Sequence, residues 1–184
     1  MGNTYSNVTV VGSDLDAVKA VLAGSGALLA DAGGAIVVFH PYDDTEGMGE
    51  GATASQLSIA LGVPVVDAIV FDHDFLQLQV HVAGEVVARA VAPPTGAEIM
   101  GEMSGDDIGS GLTSAEEATA LIAAIGRGEF EAVRDALEAD NVFASESHHS
   151  VFAALDLPTL GVGWGHRYLK QDRELFEVVP LTEA

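Results

Sequence analysis

The stretch 65–91, reading VVDAIVFDHDFLQLQVHVAGEVVARAV, decides the fold. It holds three runs rich in apolar and β-branched residues, 65–71, 75–82 and 86–91, separated by Asp-His-Asp at 72–74 and Ala-Gly-Glu at 83–85. Runs of this length between turn-forming residues are typical of strands joined by tight turns. The stretch therefore predicts three consecutive antiparallel strands.

The middle run predicts a strand with two different faces. Its apolar side chains occupy every second position, at Leu76, Leu78, Val80 and Val82. Its polar side chains occupy the positions between them, at Gln77, Gln79 and His81. Because successive side chains of a strand point to opposite sides, we expect one face to meet the core and the other to meet water or a partner.

The residues before this stretch predict three further strands and two helices. The strands are predicted at 7–11, 27–30 and 35–39. The helices are predicted to begin near Ser13 and Thr53, each of which stands three residues before a polar residue in a capping-box arrangement. The order β-α-β-β-α-β-β-β favours an α+β fold, with an antiparallel-rich sheet and helices on one of its faces.

The residues after 92 predict a linker and a second unit. Residues 93–112 contain two prolines and five glycines with no sustained period, which is typical of a linker. Beyond it, helices are predicted at 114–125, 129–139 and 146–155, followed by a β-hairpin with arms at 159–168 and 175–179. The chain thus divides into an α+β unit (1–92), a linker (93–112) and a helical segment with a hairpin (113–184). Packing of the last unit with the first as one domain stays open.

The charge is strongly negative, with 28 Asp and Glu against seven Lys and Arg, or −21 in all. This excludes binding to DNA or RNA through bulk charge, which requires a basic footprint. The absence of cysteine excludes disulfides and a thiol nucleophile. No basic leader is present and no apolar run approaches the roughly 20 residues that span a bilayer. We therefore expect a cytoplasmic protein that does not bind membranes.

Several segments carry a resemblance to a known family. They are FASESH at 143–148, ALDLP at 154–158 and VGWGHRYL at 162–169, together with LGVP at 61–64 and FDHD at 71–74. In this combination the chain resembles a family of uncharacterised conserved bacterial proteins over most of its length. At 88–91 the sequence ARAV stands where the family pattern has an acidic and aromatic segment. The resemblance implies a bacterial protein and a related fold, and no established activity or catalytic residue.

Asp72, His73 and Asp74, with His81 in the next strand, form the most ligand-like cluster, because imidazole and carboxylate groups bind zinc or iron. In a strand, however, His73 would face away from both aspartates, and in a turn all three are ordinary turn formers. We therefore predict a solvated hairpin tip and no metal, with a metal site at 72–74 as the alternative. No phosphate-binding loop and no GxSxG motif is present, so no cofactor is predicted.

Two surfaces are candidates for binding a partner. One is the polar sheet face, with Gln77, Gln79, His81 and Arg89. The other is the predicted C-terminal hairpin, with Trp164, Arg167 and Tyr168. Tryptophan, tyrosine and arginine are the residue types that dominate binding hot spots.

These features favour a non-enzymatic protein-interaction or regulatory protein with a basic partner. Small acidic immunity or antitoxin-like proteins, which neutralise a basic effector, are the analogy. The alternative is a small-ligand binder or enzyme, with or without a metal, that uses carboxylates and His73, His81, His148 or His166.

Brief proteolysis with an enzyme that cuts after acidic residues is expected to cleave first within 93–111, because that segment offers little apolar surface for docking. Mass spectrometry of the first fragments locates the cut. Early cleavage inside 65–91, with 93–111 protected, would contradict the two-unit organisation.

Overall fold

The strand Tyr5–Val11 (β1) lies at the centre of a seven-stranded sheet, and all seven of its residues are buried. The computed structural model describes residues 4–44, 50–96, 111–171 and 181–184. The other strands are Leu28–Asp31 (β2), Ala35–Phe39 (β3), Val65–Phe71 (β4), Phe75–Val82 (β5), Glu85–Ala92 (β6) and Leu181–Glu183 (β7). The helices are Leu15–Val21 (α1), Ala52–Leu61 (α2), Ser114–Ile125 (α3), Phe130–Glu138 (α4), Ala144–Ala154 (α5) and His166–Gln171 (α6).

The sheet order is β6-β5-β4-β1-β3-β2-β7, and every neighbouring pair is antiparallel. The three strands predicted from 65–91 are β4, β5 and β6, joined by tight turns. The predicted α+β class with an antiparallel sheet is therefore confirmed.

Helices α1 and α2 pack on one face of the sheet. Val8 and Val10 of β1 form a core cluster there with Val18 of α1 and Leu57 of α2. The two helices of the N-terminal unit therefore share one face, as the sequence predicts.

Helices α3, α4 and α5 cover part of the opposite face. Leu76 and Leu78 of β5 are fully buried there against Leu121, Leu137 and Phe152 from these three helices. This core cluster joins residues of 1–92 to residues of 113–184. Most of the predicted linker, 97–110, lies outside the described residues.

Three helices begin close to their predicted starts, with different caps. Asp14, not Ser13, caps α1, and its carboxylate accepts a hydrogen bond from the Ala17 N–H at 2.8 Å. Thr113 caps α3 one residue before the predicted start, in a capping box with Glu116. The N-cap of α2 is Gly51, which offers no side-chain hydrogen bond.

The prediction of a strand at 159–168, the first arm of the C-terminal hairpin, is wrong. Thr159–Gly161 forms a 3₁₀ turn and 166–171 forms α6, while the second arm, 175–179, lies outside the described residues. The Asn7 side-chain amide donates to the carbonyl oxygens of Gly161 at 2.8 Å and Trp164 at 3.0 Å. These two hydrogen bonds hold the segment in a closed turn, so it cannot extend as a strand.

Asp44 connects α6 to the central strand. Its Oδ1 accepts the backbone N–H of Ser6 at 3.3 Å, and its Oδ2 accepts that of Arg167 at 2.7 Å. A Cβ atom at Gly165 would overlap the Asp44 carboxylate. One carboxylate thus fixes the loop after β3, the open side of β1 and the start of α6 together.

Gly165→Ala is expected to lower the free energy of unfolding by about 3 kcal/mol, because the added methyl group must displace Asp44 or α6. The control is Gly163→Ala, where a Cβ meets open space but φ is +83°, so the expected loss is about 1 kcal/mol. Chemical denaturation compares the two. Equal losses would show that the close approach to Asp44 does not constrain position 165.

Candidate functional site

The polar sheet face predicted to meet water or a partner is closed. Gln77, Gln79 and His81 are only 8%, 6% and 3% exposed. The N-cap of α2 lies over two of them, since a Cβ at Gly51 would lie 2.7 Å from the His81 ring and 3.5 Å from the Gln79 side-chain oxygen. The alternation along β5 was predicted correctly, but the prediction of an open face is wrong because a helix packs on it. Arg89, beside Gln79 in the register of β5 and β6, is exposed.

Trp164, Arg167 and Tyr168 lie in and just before α6. The Arg167 guanidinium stands 5.0 Å from the centre of the Tyr168 ring and donates to the Thr4 carbonyl oxygen at 3.0 Å. Trp164 is half-buried against the cluster that contains Phe39. The structure therefore pairs Arg167 with Tyr168, while Trp164 and Tyr168 pack against different core clusters, and the role of the three residues in binding stays a prediction.

The residues 72–74 form the tight turn between β4 and β5. Asp72 and His73 both have positive φ, 46° and 69°, and the Asp74 N–H donates to the Phe71 carbonyl oxygen at 2.8 Å. Across ranges 4–44, 50–96, 111–171 and 181–184, no group of three or more histidine, aspartate or glutamate side chains is placed to hold a metal.

The histidines proposed for ligand chemistry lie in separate parts of the fold. His73 is in the β4–β5 turn, His81 lies beneath Gly51, and His166 Nε2 is 3.1 Å from the Gly26 carbonyl oxygen. His148 is fully buried, with Nδ1 2.9 Å from the Tyr5 hydroxyl. They do not form a shared site.

Burial lowers the pKa of His148 to about 3, with a smaller contribution from His149. The ring is therefore neutral at physiological pH. Its Nε2 has no hydrogen-bond partner within the described part of the chain, so the hydrogen bond with Tyr5 is the polar contact that orients it.

The structure reveals an exposed apolar pair that sequence analysis missed. Val142 is 80% exposed and Phe143 is 47% exposed, in the loop between α4 and α5. The Phe143 ring packs edge-on against His73 at 5.4 Å, and the Ala144 N–H donates to the His73 carbonyl oxygen at 2.9 Å. The loop is thereby held against the β4–β5 turn, which carries Asp72 and Asp74.

Acidic side chains flank this pair. We define the 142–143 surface as Val142 and Phe143 together with the exposed acids Asp72, Asp74, Asp140 and Glu146. Between Arg134 and Arg167 the sequence contains five Asp and Glu and no Lys or Arg. The signal available in the sequence was an apolar pair between two helices with acids on both sides.

A groove adjoins the 142–143 surface along the outer side of α5. Its volume is about 490 Å³, and it is lined by Asn141, Ser145, Glu146, His149, Ser150 and Val162. Glu146 belongs to both features. Its Oε2 accepts the Phe143 N–H at 3.3 Å. An apolar pair and a polar groove therefore share one acidic residue.

On the other side of the sheet, two buried aspartates lie near the start of α2. Burial raises the pKa of Asp43 to about 6, although the hydroxyl and N–H of Thr53 lower it in part. Burial and the charge of Asp43 raise the pKa of Asp67 to about 7. The Ser6 hydroxyl donates to Asp67 Oδ1 at 3.4 Å.

Comparison with known proteins finds no matching family model, no matching curated protein and no matching solved structure. Among the described residues, no helix has the length and apolar character needed to cross a membrane.

Tyr5→Phe is expected to lower the free energy of unfolding by about 1–2 kcal/mol, because it leaves Nδ1 of the buried His148 without a partner. Tyr168→Phe is the matched control, since in the described part of the chain its hydroxyl makes a 3.4 Å surface contact with Arg167, and a change within about 0.5 kcal/mol is expected. Denaturant titration measures both. Equal effects would contradict a stabilising role for the Tyr5–His148 hydrogen bond.

Proposed function

We propose that this chain is a non-enzymatic interaction protein that binds a basic partner protein at the 142–143 surface. The observation that carries the proposal is the exposed Val142–Phe143 pair within a set of acidic side chains. Exposed apolar groups with a charged rim are the usual anatomy of a protein-binding surface.

The electrostatics support a positively charged partner. The ion pairs that join two described residues are both made by Arg134, with Glu131 at 2.7 Å and Asp135 at 2.6 Å. With a net charge of −21, most acidic side chains have no basic residue to neutralise them. Such a surface attracts basic proteins and accelerates their association, most strongly at low salt.

The apolar pair adds a contact of fixed position to the electrostatic attraction. Phe143 is held in place by His73 and by its position at the start of α5, so little side-chain freedom remains to be lost on binding. The neighbouring groove can accept a side chain of the partner, and Glu146 at its border offers a carboxylate to a lysine or arginine. This arrangement favours a partner segment with an apolar side chain beside basic ones.

An acidic protein that covers a basic surface would block whatever that surface binds. Immunity and antitoxin-like proteins are the analogy for this action, because they neutralise a basic effector by covering its surface. Trp164, Arg167 and Tyr168 are proposed as a second contact for the same partner.

Affinity capture from native extract compares wild type, Val142→Ser and Val87→Ser, with quantitative mass spectrometry as the readout. Val87 lies on β6 and is 49% exposed, so it is a matched apolar control away from the 142–143 surface. Wild type and Val87→Ser are expected to retain one basic protein, and Val142→Ser to retain about tenfold less. Salt is expected to elute that protein, because screening weakens attraction between exposed charges.

Two results would contradict the proposal. Capture of the same proteins in equal amounts by all three forms would show that Val142 makes no contact. A small molecule that co-purifies in stoichiometric amount, with no captured protein, would favour the small-ligand interpretation.

A further inference from the structure

Asp43 is a buried carboxylate whose oxygens lack a close hydrogen-bond partner in the described part of the chain, although the hydroxyl and N–H of Thr53 lie near enough to lower its pKa. It is 4% exposed, and neither Oδ1 nor Oδ2 has a partner among the described residues. A buried carboxylate normally accepts hydrogen bonds or pairs with a cation, because leaving it unpaired costs several kcal/mol of desolvation. Asp43 therefore lacks the partner that its chemistry requires.

Asp67 on β4 is a second buried carboxylate. It is 2% exposed and, within the described ranges, accepts a 3.4 Å hydrogen bond from the Ser6 hydroxyl. Asp43 and Asp67 repel each other, and neither forms an ion pair with a described lysine, arginine or histidine. Two buried like charges without a counter-charge point to a missing positive group.

We propose that Asp43 and Asp67 bind a hard divalent cation, with the hydroxyl groups of Ser6 and Thr53 as neutral ligands. This site is separate from the 142–143 surface and does not depend on the proposed function.

The donor atoms suit calcium or magnesium. Two carboxylates and two hydroxyls supply oxygen ligands only, which these ions prefer, and calcium takes about six to eight oxygens. An ion sits about 2.0–2.6 Å from its oxygens, closer than the roughly 2.7 Å of a water hydrogen bond, so a space too small for water can still admit it. The described residues contain no group of three or more acidic or histidine side chains placed to hold a metal. The site proposed here has two acidic side chains, so that finding does not concern it.

A shared proton is the competing occupant, and pH separates the two. At pH 8 both carboxyl groups are charged and a cation is favoured. At pH 5 both are protonated, since their pKa values are about 6 and about 7, and cation binding should be lost. Because the pKa values of both groups are higher in the folded protein than in the unfolded chain, the cation-free protein is more stable at pH 5 than at pH 8 as far as these two groups contribute.

The experiment measures thermal unfolding of the full chain at pH 8 in EDTA, then with excess Ca²⁺ or Mg²⁺, and with NaCl at equal ionic strength. At least one divalent ion is expected to raise the melting temperature by roughly 5 °C beyond the NaCl effect. Isothermal titration is expected to give one ion per chain. At pH 5 the rise is expected to vanish.

Asp43→Asn and Asp67→Asn are each expected to abolish the rise, and Asp156→Asn, which removes one exposed charge outside the 142–143 surface, is expected to keep it. If one of the first two fails to fold, the other together with the titration stoichiometry decides. A wild type that does not respond to either divalent ion would overturn the proposal, as would equal responses in Asp67→Asn and Asp156→Asn, which indicate only general screening of the acidic surface.

Discussion

The carboxylate of Asp44 is the contact on which the arrangement of this fold depends. β3 ends at Phe39, so the first half of β1 has no strand partner on that side. Asp44 supplies an acceptor there, for the Ser6 N–H, and holds the start of α6 through the Arg167 N–H. The loop after β3, the central strand and the C-terminal segment are therefore positioned by one side chain.

The sheet was predictable because its signal is local. Alternation along 75–82 and the turn at 72–74 determine β4 and β5 with no knowledge of the rest of the chain. The burial of Gln77, Gln79 and His81 was not predictable, since alternation shows that two faces differ but not that α2 covers the polar one. The segment 159–168 was misassigned because long-range hydrogen bonds from Asn7, 154 and 157 residues away, decide its conformation.

The acidic side chains fall into two environments with different consequences. Those around Val142 and Phe143 are exposed, where water screens each charge, and we propose that their summed field attracts a basic partner. Asp43 and Asp67 are buried, where each charge is costly and one specific counter-ion is favoured. The sequence reveals the total of −21 but not this division, because burial depends on how the loop 40–44 folds back on β1.

Amide hydrogen exchange, followed by NMR in wild type and Asp44→Ala, tests the organising role of Asp44 most directly. The account predicts that the Ser6 and Arg167 amides are both protected in the wild type and both lose protection in the variant. The backbone amides that pair β4 with β5 are predicted to keep their protection in the variant. Unchanged protection of Ser6 and Arg167 in the variant would contradict the claim that Asp44 holds the central strand and α6 together.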